Sequence, residues 1–119
     1  MNDHDSPSAE DEACVEIRTY LLHPASREDF DRTMTQRAVP LMRAAGLDVV
    51  HCGPCAADPD SYVLIRAFAS SAERIRQKAE FYGSAAWKDG IEADVMQRIA
   101  QYLTVVLPPS AVAGLRSAM

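Results

Sequence analysis

The chain has 119 residues, 48% of them hydrophobic, and a formal net charge of −5, which suits one ordinary domain and is too short for two. The acidic balance argues against a nucleic-acid partner; the tightest basic group, Arg74, Arg76 and Lys78, is flanked by Glu73 and Glu80 and reads as a solvated helix face. No apolar run approaches the roughly 20 residues of a membrane span, residues 1–12 lack the pattern of a signal peptide, and three cysteines are an odd number, so a cytoplasmic protein with reduced thiols is expected.

Residues 1–13 are acidic and polar and predict a disordered tail. The folding domain is expected over 14–109. Its first strand runs from Cys14 to Leu22, with Val15, Ile17, Thr19 and Leu21 on one face and Glu16, Arg18, Tyr20 and Leu22 on the other. His23-Pro24 ends it. Ser26 is the expected N-cap of a helix whose apolar stripe is Phe30, Met34, Ala38, Leu41 and Ala45. Pro40 must kink or split that helix, and Gly46 stops it.

Leu47 to Cys52 and Tyr62 to Ala69 read as two strands of a hairpin, joined through the turn signals Gly53-Pro54 and Asp58-Pro59-Asp60. Ser70 with Glu73 resembles a capping box that opens a second helix to about Phe81. Gly83-Ser84 breaks it. A further helical stretch runs to about Gln97, interrupted near Gly90. Ile99 to Leu107 is the last strand, ended by Pro108-Pro109, and 110–119 is a weakly apolar C-terminal tail.

The order β-α-β-β-α-β is the split-βαβ pattern. It predicts an α+β, ferredoxin-like domain: a four-stranded antiparallel sheet with helices on one face. Helices cover only one face, yet the strands from Tyr62 to Phe68 and from Tyr102 to Leu107 are apolar on both. A second copy packed on the free face, a homodimer, satisfies that pattern most simply. The alternative cover is the segment 110–119.

Several stretches together resemble the NIPSNAP family. They are Val15-Glu16-Ile17-Arg18-Thr19-Tyr20, Phe30, Val39-Pro40-Leu41, Gly46, the Tyr62-to-Phe68 strand, Ser71-Ala72-Glu73-Arg74, and Phe81-Tyr82 with Trp87. The resemblance spans about Val15 to Leu107. It implies the dimeric α/β barrel, in which two ferredoxin-like sheets close one barrel. That wider group includes small monooxygenases, haem-degrading enzymes and isomerases, and fold alone grants none of these activities.

Four groups of residues are candidate sites. Arg18, Tyr20 and Arg66 lie on the two neighbouring central strands. If they share a face, two guanidinium groups converge, and such a pair holds a carboxylate or phosphate bidentately; the plainer reading is that Glu16 pairs with them inside the protein. Tyr82, Trp87 and Tyr102 are expected to line a pocket between helices and sheet, although Phe30, Met34 and Trp87 have core spacing. His51 is a candidate general base or axial ligand, or more simply a hydrogen-bonded structural residue. Cys52-Gly53-Pro54-Cys55 has the thioredoxin active-site sequence, but a turn follows it where that chemistry needs a helix. His51, Cys52 and Cys55 lack a fourth ligand, so neither a metal nor a cofactor is expected. The function expected is binding of a small organic molecule by Arg18, Tyr20, His51, Arg66 and Trp87. The alternatives are cofactor-free oxidation of an aromatic or quinol substrate, and thiol-disulfide redox at Cys52 and Cys55.

Overall fold

β1 (Cys14–Leu22) is the spine of the sheet, hydrogen-bonded on both sides. Its alternation decides what each neighbour contributes. β3 (Ser61–Phe68) pairs with it antiparallel, Glu16 opposite Arg66 and Tyr20 opposite Tyr62. β4 (Ile99–Leu107) pairs on its other side, Arg18 opposite Thr104 and Tyr20 opposite Tyr102. β2 (Asp48–Pro54) adds to the far edge of β3, which gives the order β2-β3-β1-β4. The expected ferredoxin-like sheet is therefore present. The computed structural model describes residues 12–108, 110, 111, 113 and 114. Nearly all of the N-terminal tail and much of the C-terminal one lie outside them. No helix among the described residues is long and apolar enough to cross a membrane.

Cys14, Tyr20, Leu22, Tyr62, Leu64 and Phe68 enter the main core beneath the helices. β2 reaches that core through a bulge, a register shift between Val49 and His51. The extra residue lets Val49 and Cys52 both face the helices and turns His51 outward. The strand also runs on to Pro54, two residues past its expected end.

The first helical region is α1 (Arg27–Thr33), a π-helical turn (Met34–Ala38) and α2 (Val39–Ala44). Pro40 explains the middle piece. It has no N–H, and its ring clashes with the carbonyl four residues back in a regular helix; a wide turn just before it removes the conflict. The wide turn also corrects the predicted stripe. It advances the helical phase by about one residue, so Phe30, Met34 and Ala38 are followed inward by Met42, with Leu41 partly buried at the flank of the core and Ala45 exposed. Ser26 makes no side-chain cap bond. Gly46 closes the region at φ +90°, a conformation that suits glycine.

α3 (Ser71–Gly83) is capped as the sequence predicts: Ser70 Oγ accepts from the Glu73 amide at 3.0 Å. The reciprocal half of the box is absent, because the Glu73 carboxylate pairs with Arg76. Ser84 then turns the chain, its hydroxyl donating to Phe81 O at 2.6 Å and accepting from the Trp87 amide at 3.2 Å. A second π-helical segment (Ala86–Ile91), containing Gly90, buries Trp87 and Ile91, and α4 (Glu92–Met96) buries Val95.

β4 stands apart from the rest of the sheet. On the helix side Tyr102 is 53% exposed; on the outer side Leu103 is 64% and Val105 44% exposed. The helices stop short of this edge strand, so it is apolar and open on both faces.

Candidate functional site

Glu16 and Arg66 face each other across the middle of the sheet, both fully buried. Arg66 Nε donates to Glu16 Oε1 at 3.2 Å, and Nη2 reaches the same oxygen. The other carboxylate oxygen accepts from Arg74 Nε at 2.8 Å and Lys78 Nζ at 2.7 Å. Burial alone raises the carboxyl pKa, but Arg66 and Lys78 outweigh it and hold Glu16 at about 2. The internal pairing expected as the plainer reading is thus realised for Arg66. The solvated-face reading of α3 needs correction: Arg76 is exposed and pairs with Glu73 and Glu80, whereas Arg74 and Lys78 reach inward to Glu16.

Arg18, on the same face of β1, has a different environment. Its Nε donates to Thr104 Oγ1 at 3.2 Å across the ladder to β4. Its guanidinium lies 4.8 Å from the ring centroid of Tyr102 and 5.9 Å from that of Tyr82, where the ring faces attract it. Among the described residues no carboxylate pairs with it. Tyr82 ties the two arginines together, because its hydroxyl accepts from Arg66 Nη1 at 2.8 Å. It also packs edge-on against Phe81 and Trp87, each with centroids 5.0 Å away.

These side chains wall a cavity of about 250 Å³ between sheet and helices. Arg18, Tyr20 and Tyr102 form its sheet side, Lys78, Tyr82 and Trp87 one flank, and Met34, Met42, Val95, Met96 and Ile99 an apolar bed; Glu92 stands at the α4 end. The Tyr20 hydroxyl is held protonated, chiefly by burial. So the structure brings Arg18, Tyr20 and Trp87 together, with Arg66 directly behind Tyr82. It does not bring His51. That residue is exposed on the outer face, paired in register with Ile65, because of the bulge in β2. Lys78 and Tyr82 are the lining residues that matter most here. The signal for them is spacing: Arg74, Lys78 and Tyr82 recur every fourth residue and share one side of α3.

Cys52 and Cys55 are free thiols, set on and just after the end of β2. Cys52 Sγ lies 3.2 Å from the Tyr62 hydroxyl, which itself donates to Asp31 Oδ1 at 2.6 Å. Burial raises the Cys52 pKa. No helix begins at either cysteine. For Cys52 that burial acts against the lowered thiol pKa that disulfide exchange requires. Among the described residues no three His, Cys, Asp or Glu side chains converge on a point where a metal would sit.

No family model matches the sequence, and no curated protein matches it. Solved structures do resemble the fold. A NIPSNAP-like domain protein from Burkholderia xenovorans is 16% identical with a TM-score of 0.76, over 83% of this chain and 86% of that one. A NIPSNAP family protein from Agrobacterium tumefaciens, itself of unknown function, is 18% identical with a TM-score of 0.74, over 83% and 89%. A proposed antibiotic biosynthesis monooxygenase from Nitrosomonas europaea is 17% identical with a TM-score of 0.61, over 86% and 94%. At such identities the likeness is one of fold, and the fold of this chain is the one seen in the NIPSNAP family.

Proposed function

We propose that this is a NIPSNAP-like protein that pairs with a copy of itself and holds a small organic molecule between sheet and helices. The observation that carries the binding half is the cavity itself: concave, mostly apolar, and rimmed by a few fixed polar groups from Arg18, Tyr20 and Tyr82. The pairing half is supported by β4 and the outer face. Leu21, Leu103 and Val105 are exposed together at the β4 end of the outer face, whereas Val15, Ile65 and Ala67 at its other end are buried; the exposed group is an apolar area of the kind that marks an interface. A second copy of the same surface covers it with twofold symmetry.

Trp87 is the single tryptophan of the chain and lines the cavity, so its emission reports a guest. Titration with small aromatic and aliphatic fragments is expected to shift that emission saturably. A set of fragments that all leave it unchanged would overturn the binding half. Sedimentation at micromolar concentration is expected to give twice the chain mass, and a single-chain mass would overturn the pairing half.

A second reading has one observation in its favour. Tyr20, Tyr82 and Trp87 crowd one cavity in a fold also found in a proposed monooxygenase. Under this reading an aromatic or quinol guest is oxidised by molecular oxygen, the guest's own electrons reducing the oxygen. Oxygen uptake with a hydroxyarene panel tests it, and no uptake across the panel removes it.

A further inference from the structure

The charge around the cavity is unbalanced, and the imbalance has a direction. Four cations stand at or behind its sheet-side wall: Arg18, Arg66, Arg74 and Lys78. Three of them share one carboxylate, that of Glu16. Glu92, at the far end of the cavity, pairs with none of the four among the described residues. Even counting it, two carboxylates face four cations. Arg18 is the cation left over. It lines the cavity, its Nε is anchored on Thr104, and Tyr102 and Tyr82 fix the plane of its guanidinium. Its terminal fork therefore carries no acid of the protein among the described residues; beside it stands the Tyr20 hydroxyl, with which the Arg18 side chain interacts. The site has room and an apolar bed for a small body next to that fork.

We infer that the guest is a small organic anion, a carboxylate with an aromatic or short aliphatic body, and that Arg18 binds its head group. This rests on the reading of the cavity as a binding site and deepens it. A planar carboxylate matches a guanidinium fork with two parallel hydrogen bonds. The body lies against Trp87, Met34, Met42 and Ile99, which bury apolar surface without fixing a unique shape. The crowding of cations is visible in Lys78 too: burial first, then Arg18 and Arg74, push its pKa down, while Glu16 pulls it up. An anion in the cavity relieves that repulsion.

The test uses the full chain and three acid–amide pairs: benzoate, 3-phenylpropanoate and hexanoate, each against its primary amide. Binding is followed by Trp87 emission and by calorimetry. At least one acid is expected to bind about tenfold or more tighter than its amide, as a charge-assisted pair outweighs a neutral one. That preference is expected to fall within about twofold in Arg18→Gln. It is expected to persist in Arg76→Gln, which removes the same charge from the exposed side of α3. Amides that bind as tightly as acids would overturn the inference and leave the binding site standing. An acid preference that survives Arg18→Gln, with native circular dichroism, would also overturn it. If no acid and no amide binds, the cavity reading falls and takes the inference with it. Should Arg18→Gln fail to fold, the acid–amide comparison in the unaltered chain decides the question alone.

Discussion

The helix side of this sheet and its β4 edge are built from similarly apolar strands and end in opposite conditions. On the helix side, apolar side chains close into a core, and Glu16, the one buried carboxylate among the described residues, collects three cations. Along β4 and at neighbouring Leu21, equally apolar residues stay open to water, while Val15, Ile65 and Ala67 at the other end of the outer side are buried. Apolar patterning therefore states that a surface is to be buried and leaves open what buries it. Where the chain supplies its own cover, charge has been brought in and gathered around one carboxylate. Where the strands stay open, at Leu21, Leu103 and Val105, charge is nearly absent.

The sharpest break in that contrast is on the covered side. Glu16→Ala leaves Arg66 fully buried without its partner, and removing one member of a buried pair costs about 3–5 kcal/mol. Chemical denaturation measures it. Glu16→Leu with Arg66→Met is expected to recover most of that loss, because apolar residues of similar size replace buried ion pairs at little cost. Recovery of nothing would mean that the cluster is more than the pair, with Arg74 and Lys78 doing the stabilising.

The same carboxylate fixes a pH dependence. Glu16 has a folded pKa of about 2 against an ordinary 4.5. A depressed acid stabilises the fold fully above its unfolded pKa and loses that contribution as pH falls toward the folded one. Stability is thus expected to fall between about pH 4.5 and 2, and Glu16→Gln is expected to flatten that limb. Urea midpoints across the range give the slope. An equally steep limb in Glu16→Gln would place the acid sensitivity elsewhere.

On the open side the expected effect is on association. Leu103 is 64% exposed in the protomer, so Leu103→Glu changes protomer stability by no more than about 0.5 kcal/mol. In a twofold interface the new charge appears twice. Each copy faces an apolar partner surface, and the dimer is expected to weaken by about 100-fold, or about 2.7 kcal/mol. Sedimentation equilibrium reads the change. If Leu103→Glu destabilises the protomer itself, then the β4 edge has an internal cover and the contrast with the helix side disappears.

How far the sequence reaches follows the same division. Strand order, the cap at Ser70, the break at Ser84 and the face shared by Arg18 and Arg66 are all local or pairwise patterns, and they are legible. What is not legible depends on one extra residue. The wide turn before Pro40 moves the buried stripe from Leu41 to Met42, and the bulge after Val49 turns His51 away from the cavity. The bulge has no composition signal, and Pro40 announces a break in the helix without stating how far the phase moves; each changes which face every later residue of its element presents. The inward reach of Arg74 and Lys78 is different. Their spacing was readable, but their length let them cross from a helix edge to a buried acid, and only the position of Glu16 makes that worthwhile.

The smallest effect sits at the far end of the covered face, where Asp31, Tyr62 and Cys52 form a short chain of hydrogen bonds. Tyr62 is fully buried, whereas Asp31 is only half-buried. Tyr62→Phe removes one hydroxyl and two bonds without opening a cavity. Asp31 regains water, so the loss is expected near about 1–1.5 kcal/mol, well below that of Glu16→Ala. The double variant with Cys52→Ala separates the two bonds. The thiol is a weak donor, so a coupling energy below about 0.5 kcal/mol is expected. A larger coupling would mean that the thiol orders the tyrosine, and that the covered face is held at both ends by polar groups instead of at Glu16 alone.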